Sequence, residues 1–237
     1  VAVYTFRVSR FHPSQDKKAH FKNYKVKLLE GATVLDGLIA IKENLDPTIA
    51  FRRSCRSAIC GNCAVRVNGK ASLICDLQAS KVVSNGIIVL EPLSNFKVIR
   101  DLVVDLAPFW DAVEKALPWL IPDPKKNPPE KGHKIVPGDD FIGLGKVDVC
   151  VLCAACHSDC PVIGNHRDWP GPIYNVKTAR FILDARDHDM GRPARAVDAG
   201  LDLCTSPRTC PVDCPKGIDL YKDAFQMVKK AAGRRRK

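Results

Sequence analysis

No apolar run in the 237 residues approaches the ~20 that a helix needs to span a bilayer, so the chain is not expected to cross a membrane unaided. A Walker loop, a dinucleotide fingerprint and a nucleophile–base signature are also missing. Gly143-Leu144-Gly145 lacks the third glycine and the strand-to-helix setting that phosphate binding requires. The first residues, Val1-Ala2-Val3-Tyr4-Thr5-Phe6, alternate like a strand and have neither the basic nor the apolar region of a secretory signal, which predicts folding in the cytoplasm. The hydrophobic and charged fractions, 46% and 27%, are those of an ordinary globular protein, and the length suits two domains, each with its own core.

Cysteine is what the chain has in excess. There are eleven, an odd number, in three tight groups separated by empty stretches, a pattern that suits metal ligation better than a disulfide framework. The formal charge of +11 raises the alternative of a zinc-organised nucleic-acid-binding protein. Against it, the basic residues show no aromatic interleaving, and anionic thiolate clusters would offset part of the charge. Lys229, Lys230 and the terminal Arg234-Arg235-Arg236-Lys237 could meet anionic lipid at about 1 kcal/mol per charge, or be a solvated end.

Short β-rich runs at Tyr4 to Ser9, Tyr24 to Leu29, Ala64 to Val67 and Ile87 to Leu90 predict strands, with Asn68-Gly69 as a hairpin turn. Thr33 is positioned to cap a helix with Asp36 in its first turn, followed at near-helical spacing by Val34, Leu35, Leu38, Ile39 and Ile41. The pattern from Val98 to Leu117 reads as helical. The prolines at 118, 122, 124, 128, 129 and 137 then predict an irregular connection. Helices are expected again at Tyr174 to Asp187 and Asp219 to Ala232. The fold class is therefore α+β: an N-terminal domain over 1–106, a helical and Pro-rich connection over 107–140, and an α-helical domain over 141–237.

Cys55, Cys60 and Cys63, followed by Cys75, have the C-x4-C-x2-C…C spacing of a plant-type 2Fe-2S ferredoxin. Arg52, Arg53 and Arg56 flank the first of them and either stabilise an anionic centre or form a solvated or partner-facing patch. Cys150, Cys153, Cys156, Cys160 and Pro161 spell C-x2-C-x2-C-x3-C-P, the bacterial run whose fourth cysteine serves a second cluster. Cys204, Cys210, Cys214 and Pro215 repeat it, with Pro207 where the second cysteine would stand. Exchanging fourth ligands gives a 4Fe-4S cluster on Cys150, Cys153, Cys156 and Cys214. It leaves three thiolates, Cys160, Cys204 and Cys210, for the other site. Proline offers no ligating side-chain atom, so that site is expected to hold a 3Fe-4S cluster, and no cysteine is left over. His157, inside the run, is read as a hydrogen-bonding or exposed residue rather than a ligand.

A plant-type ferredoxin domain followed by a dicluster domain with one missing ligand resembles the iron-sulfur subunit of succinate dehydrogenases and fumarate reductases. Phe51-Arg52-Arg53-Ser54-Cys55-Arg56, Cys60-Gly61, the stretch Val98-Ile99-Arg100-Asp101-Leu102-Val103-Val104-Asp105, Asn127-Pro128-Pro129 and Cys214-Pro215-Lys216-Gly217 carry the resemblance beyond the spacing. It implies a β-grasp fold for the first domain and an all-α dicluster fold for the second. It also implies a flavoprotein partner with FAD and membrane-anchor subunits, with haem b an open option. A quinone would bind at a shared site on the cytoplasmic face of the cell membrane, where this chain would be peripheral, with no nucleic-acid partner and no catalytic residue of its own. Ubiquinone-reducing members commonly place two tryptophans shortly after the Cys-Pro that matches Cys160-Pro161. Here Val162-Ile163-Gly164-Asn165 follows, so a different pocket is expected, near Pro161, Ile163, Gly164, His166, Trp169 and Pro207, with menaquinone an option. Trp169 reads equally as a packed aromatic. The other reading within redox chemistry is the iron-sulfur subunit of a fumarate reductase, or of another flavoenzyme working mainly in the reductive direction.

Overall fold

The computed structural model describes residues 1–123, 125, 139–166, 168–204 and 210–233, without the side chains of 139 and 140. Pro207, Asn127-Pro128-Pro129 and Arg234 to Lys237 lie outside the described residues. The chain divides into two compact units, Val1–Leu106 with Val151–Asp159, and Ala107–Cys150 with Cys160–Lys237.

The first unit is built on a five-stranded sheet of order β2-β1-β5-β3-β4. β1 (Ala2–Arg10) pairs antiparallel with β2 (His20–Leu28) along its whole length and parallel with β5 (Ile87–Glu91). β3 (Ala64–Val67) lies antiparallel to β5 and to β4 (Lys70–Leu73). Alternation explains the core: Phe6 and Val8, Tyr24 and Val26, and Ile88 and Leu90 turn to the buried face. α1 (Val34–Asn44) adds Val34, Leu35, Leu38 and Ile41. The Asn68-Gly69 turn, with both residues at positive φ, closes the β3–β4 hairpin. Thr33 and Asp36 form a reciprocal capping box at the start of α1. The next two amides of that helix donate outside it, Val34 to the Leu77 carbonyl and Leu35 to that of Ile74. The free N-terminus of α1 thus pins both sides of Cys75. α2 (Ala79–Val82) and α5 (Ala155–Ser158) complete the helices of this unit.

The stretch from Val98 does not begin as helix. β6 (Val98–Arg100) and β7 (Val103–Val104) form a small antiparallel ladder, and helix starts only at α3 (Ala107–Lys115). The β-branched residues favour extended backbone, and Asp101 at φ 47 makes the reversal. Its buried carboxylate accepts from the Phe11 and Ala50 amides at 2.9 and 2.8 Å and from Arg10 Nε at 2.9 Å. Arg10 also joins Asp46, which accepts from Lys22, Tyr24 and Thr48 as well. Burial pushes the Asp46 carboxyl upward, but the hydrogen bonds from Lys22, Thr48, Tyr24 and Arg10 outweigh it and hold the group well below the usual carboxylate range. A depressed folded-state pKa stabilises in full above the unfolded value of about 4 and is lost as pH falls below it. Asp46→Asn should therefore cost about 3 kcal/mol at pH 7, a deficit that narrows below pH 4. Denaturant unfolding of both proteins across pH checks this, and a gap that is constant with pH would contradict it.

The described elements of the second unit are helical: α3, α4 (Asp139–Asp148), α6 (Pro161–Asn165), α7 (Pro172–Ile182), α8 (Arg192–Asp198), a 3-10 turn (Leu201–Leu203), a π-helical turn (Leu220–Phe225) and α9 (Gln226–Gly233). α7 buries Ile173, Val176, Ala179 and Phe181 and packs on α3, α4, α8 and the π turn. It ends at Ile182, short of Asp187, because Asp184 and Asp187 turn the chain. The Asp184 carboxylate takes the Arg186 amide and the guanidiniums of Arg180 and Arg186. Near the C-terminus Asp219 caps the π turn, so the expected single helix there opens with a wider coil. No helix among the described residues is long and apolar enough to cross a membrane.

Candidate metal centres

The loop after α1 gathers the first four cysteines. Arg56 and Ala58 adopt left-handed conformations, as does Gly61, at φ 59, 53 and 72. Such turns are costly for side-chain-bearing residues and swing successive amides to one side, forming an anion-binding concavity. Here the amides of Ser57, Ile59 and Cys60 lie 3.4, 3.4 and 3.3 Å from Cys55 Sγ, and that of Ala58 lies 3.3 Å from Cys75 Sγ. Those three amides pull the Cys55 thiol down to about 6. Cys63 responds oppositely: burial, with Cys75 and Cys60 close by, pushes it up to about 12. Replacing the buried proton by a metal resolves that cost, so loading should release protons. Sulfur-directed amides, with Cys60 beside Cys55 and Cys75 beside Cys63, fit an anionic 2Fe-2S group.

Two of the flanking cations have other duties. Arg52 donates to the Val104 carbonyl at 3.0 Å, and Arg56 to Asp36 of the capping box at 2.8 Å. Arg56 thereby ties the cluster loop to α1, while Arg53 is exposed.

In the second unit Cys160, Cys204 and Cys210 line one cavity of about 510 Å³. Burial and the proximity of Cys210 and Cys160 raise the Cys204 thiol to about 11, and Cys160 is raised by burial as well. Pro161, His166 and Trp169 share that lining. Trp169 is also a packing residue, buried with Cys160 and Ile163. Ile163 belongs to this apolar cluster rather than the lining, and Gly164 is exposed. The structure adds Asn175, Asp202, Tyr221 and Phe225, none of which sequence reasoning selected. Tyr221 and Phe225 stack at 6.0 Å on the π turn, inside the stretch expected as helix, but helical spacing alone does not say that they face the cavity.

Cys150 and Cys214 fall in the second unit, and Cys153 and Cys156 in the first. Leu152 and Ala154, at φ 55 and 63, give the Cys153 loop the same left-handed turns as the Cys55 loop. His157 is buried and stacked on Phe96 at 4.8 Å, and burial lowers its imidazole to about 4, so it is neutral at pH 7. Among the described residues no three Cys, His, Asp or Glu side chains converge on a single ion. Thiolates around a multi-iron cluster stand wider apart than those around one zinc.

Residues 5–111 match the family model of a 2Fe-2S iron-sulfur cluster binding domain, and residues 146–218 that of a 4Fe-4S dicluster domain. The chain is 36% identical to a fumarate reductase iron-sulfur subunit of Mycobacterium tuberculosis, over 90% of this chain and 86% of that one. It is also 36% identical to a mitochondrial succinate dehydrogenase [ubiquinone] iron-sulfur subunit of Oryza sativa, over 92% and 78%. A chain of the Mycobacterium smegmatis Sdh1 complex in the apo form superposes with a TM-score of 0.86 at 25% identity, covering 98% of this chain and 96% of that one. Cysteine spacing, amide-lined thiols and similarity over 90% or more of the sequence agree that the chain belongs to the family of iron-sulfur subunits of succinate dehydrogenases and fumarate reductases.

Proposed function

We propose that the chain relays electrons between the FAD of a flavoprotein subunit and a membrane quinone, at the membrane surface and beside anchor subunits. The first sheet is read as a β-grasp domain over 1–106 and the last part, 141–237, as an all-α dicluster domain, joined by 107–140. Cys55, Cys60, Cys63 and Cys75 would hold a 2Fe-2S centre, Cys150, Cys153, Cys156 and Cys214 a 4Fe-4S centre, and Cys160, Cys204 and Cys210 a 3Fe-4S centre. When bound, these centres supply one-electron carriers, which lets a two-electron flavin be discharged in two steps. The chain's own residues hold and shield: amides of the Cys55 loop stabilise anionic sulfur, and Ile163 and Trp169 pack against Cys160. The observation that carries the reading is the three thiols lining one cavity with Pro161, His166 and Trp169. A volume of about 510 Å³ has room for more than thiols, which supports a quinone-proximal role for this wall.

The test is isolation of the native complex, with its subunits and bound quinone identified and succinate oxidation assayed against fumarate reduction. A brown protein with about nine irons per chain and matching acid-labile sulfide is expected. A colourless protein holding only zinc would overturn the proposal. The ligand count has its own test in Pro207→Cys, which completes the second run. The oxidised variant should lose a three-iron paramagnetic signal, gain a second reduced four-iron signal, and reduce quinone more slowly, because the added ligand and iron alter the redox couple. No three-iron signal in wild type protected from oxygen would require a non-cysteine ligand.

A further inference from the structure

A Cβ built on Gly61 would lie 2.5 Å from the Val151 carbonyl oxygen and 3.0 and 3.1 Å from the Cys153 Cα and N. All three are backbone atoms, which cannot swing aside as a side-chain tip can. Gly61 directly follows Cys60, so the glycine lets the 2Fe-2S loop lie directly against the loop carrying Cys153. The segment behind Cys153 is anchored to the same unit at several points. The Ala71 amide donates to Asp159 Oδ2 at 2.8 Å, and the Ser94 amide to Ser158 Oγ at 3.0 Å. Asn95 Nδ2 spans two carbonyls, those of His157 and Ser158, at 3.0 and 2.9 Å. Phe96 stacks on the His157 ring. Asn95 itself sits at φ 63, a conformation asparagine tolerates well.

We propose that Gly61 and Asn95 are positioning residues for transfer between the first two centres. Gly61 sets the gap between the Cys60 loop and the Cys153 loop, and Asn95 holds the Val151–Asp159 segment in that seat. The inference rests on the cluster assignment above. In the step concerned, one electron leaves the centre on Cys55, Cys60, Cys63 and Cys75, which is oxidised, and enters the centre served by Cys153, which is reduced. No atom or proton moves. Tunnelling weakens exponentially with separation, so a backbone displacement forced by one methyl group acts on the rate directly.

The experiment uses the assembled complex in four forms: wild type, Gly61→Ala, Asn95→Gly and Gly86→Ala. Gly86 is also left-handed, at φ 78, but a Cβ there meets nothing within 4 Å, so its variant carries the backbone strain without the close approach. Iron and sulfide content is measured first. Wild type lacking either centre would sink the cluster assignment and this inference with it. With both centres present and reduced by dithionite, microwave power saturation of the 2Fe-2S signal reports its distance from the second paramagnet. Gly61→Ala should keep its 2Fe-2S line shape but relax several-fold more slowly, with a several-fold slower appearance of electrons beyond that centre. Asn95→Gly should shift both readouts in the same direction by less, and Gly86→Ala should match wild type. Wild-type relaxation in both Gly61→Ala and Asn95→Gly overturns the proposal while leaving the cluster assignment standing. Loss of the 2Fe-2S centre in Gly61→Ala together with wild-type behaviour of Asn95→Gly also overturns it, since the glycine would then serve only cluster assembly. Equal slowing in Gly86→Ala would do so too, by assigning the effect to general loosening.

Discussion

Cys75→Ala is expected to remove the 2Fe-2S signal and bring electron transfer between succinate and quinone down to assay background, while succinate still binds the flavoprotein. Cys75 is buried at the end of β4, beside Cys63, and its sulfur receives the Ala58 amide. The Leu35 and Val34 amides of α1 hold the carbonyls of Ile74 and Leu77, before and after it, so the backbone at this position is tied to the helix start. Alanine therefore leaves a three-thiolate loop, and the nearby serines and arginines are poor substitutes for a thiolate on iron. Electron paramagnetic resonance of the reduced complex, alongside quinone-linked and flavin-only assays, measures the outcome. A normal 2Fe-2S spectrum with undiminished quinone-linked activity would remove Cys75 from the ligand set.

Arg192→Ala should destabilise the second unit by about 3–5 kcal/mol, because it strands a buried carboxylate and three carbonyls. Arg192 is 2% exposed. Its guanidinium grips Asp187 with two bonds of 2.8 Å, reaches the carbonyls of Ala116, Leu117 and Trp119, and lies 4.6 Å from the Phe181 ring centre. One side chain thus fastens the end of α3 to the start of α8, across the flank of α7. Arg192→Lys keeps the charge but cannot reproduce the fork, so its loss should be smaller yet still measurable. Thermal unfolding followed by helix ellipticity in all three proteins is the check. A Tm for Arg192→Ala equal to that of wild type would show that this network contributes no net stability.

The strands and the α1 cap were legible because they depend on close sequence neighbours. Thr33 needs only Asp36, and Ala64 to Val67 alternates against a turn that Asn68-Gly69 specifies by its own conformational preferences. Val98 to Val104 misled because its apolar spacing fits a helix, whereas its extended form is held by Arg10, Phe11 and Ala50, all far away in sequence. The Asn68-Gly69 hairpin turn calls for a return strand, but Lys70 to Leu73 is short and has no marked pattern of its own, so its extent is set by pairing with β3.

The chemistry of the centres was written in the cysteine spacing, since thiolates that share a small cluster must recur at short fixed intervals, and that periodicity needs no fold to be recognised. What only the tertiary structure decided is where the surrounding groups go. Arg52 and Arg56, equally well placed in sequence to face a cluster, are committed to Val104 and Asp36. Gly61, one small residue among fifteen glycines, meets the Val151–Cys153 backbone. The reason is physical: ligand identity is a local property of the chain, whereas the path of a loop and the partner of a cation depend on contacts between residues distant in sequence. Those contacts exist only after the sheet and the helices have packed.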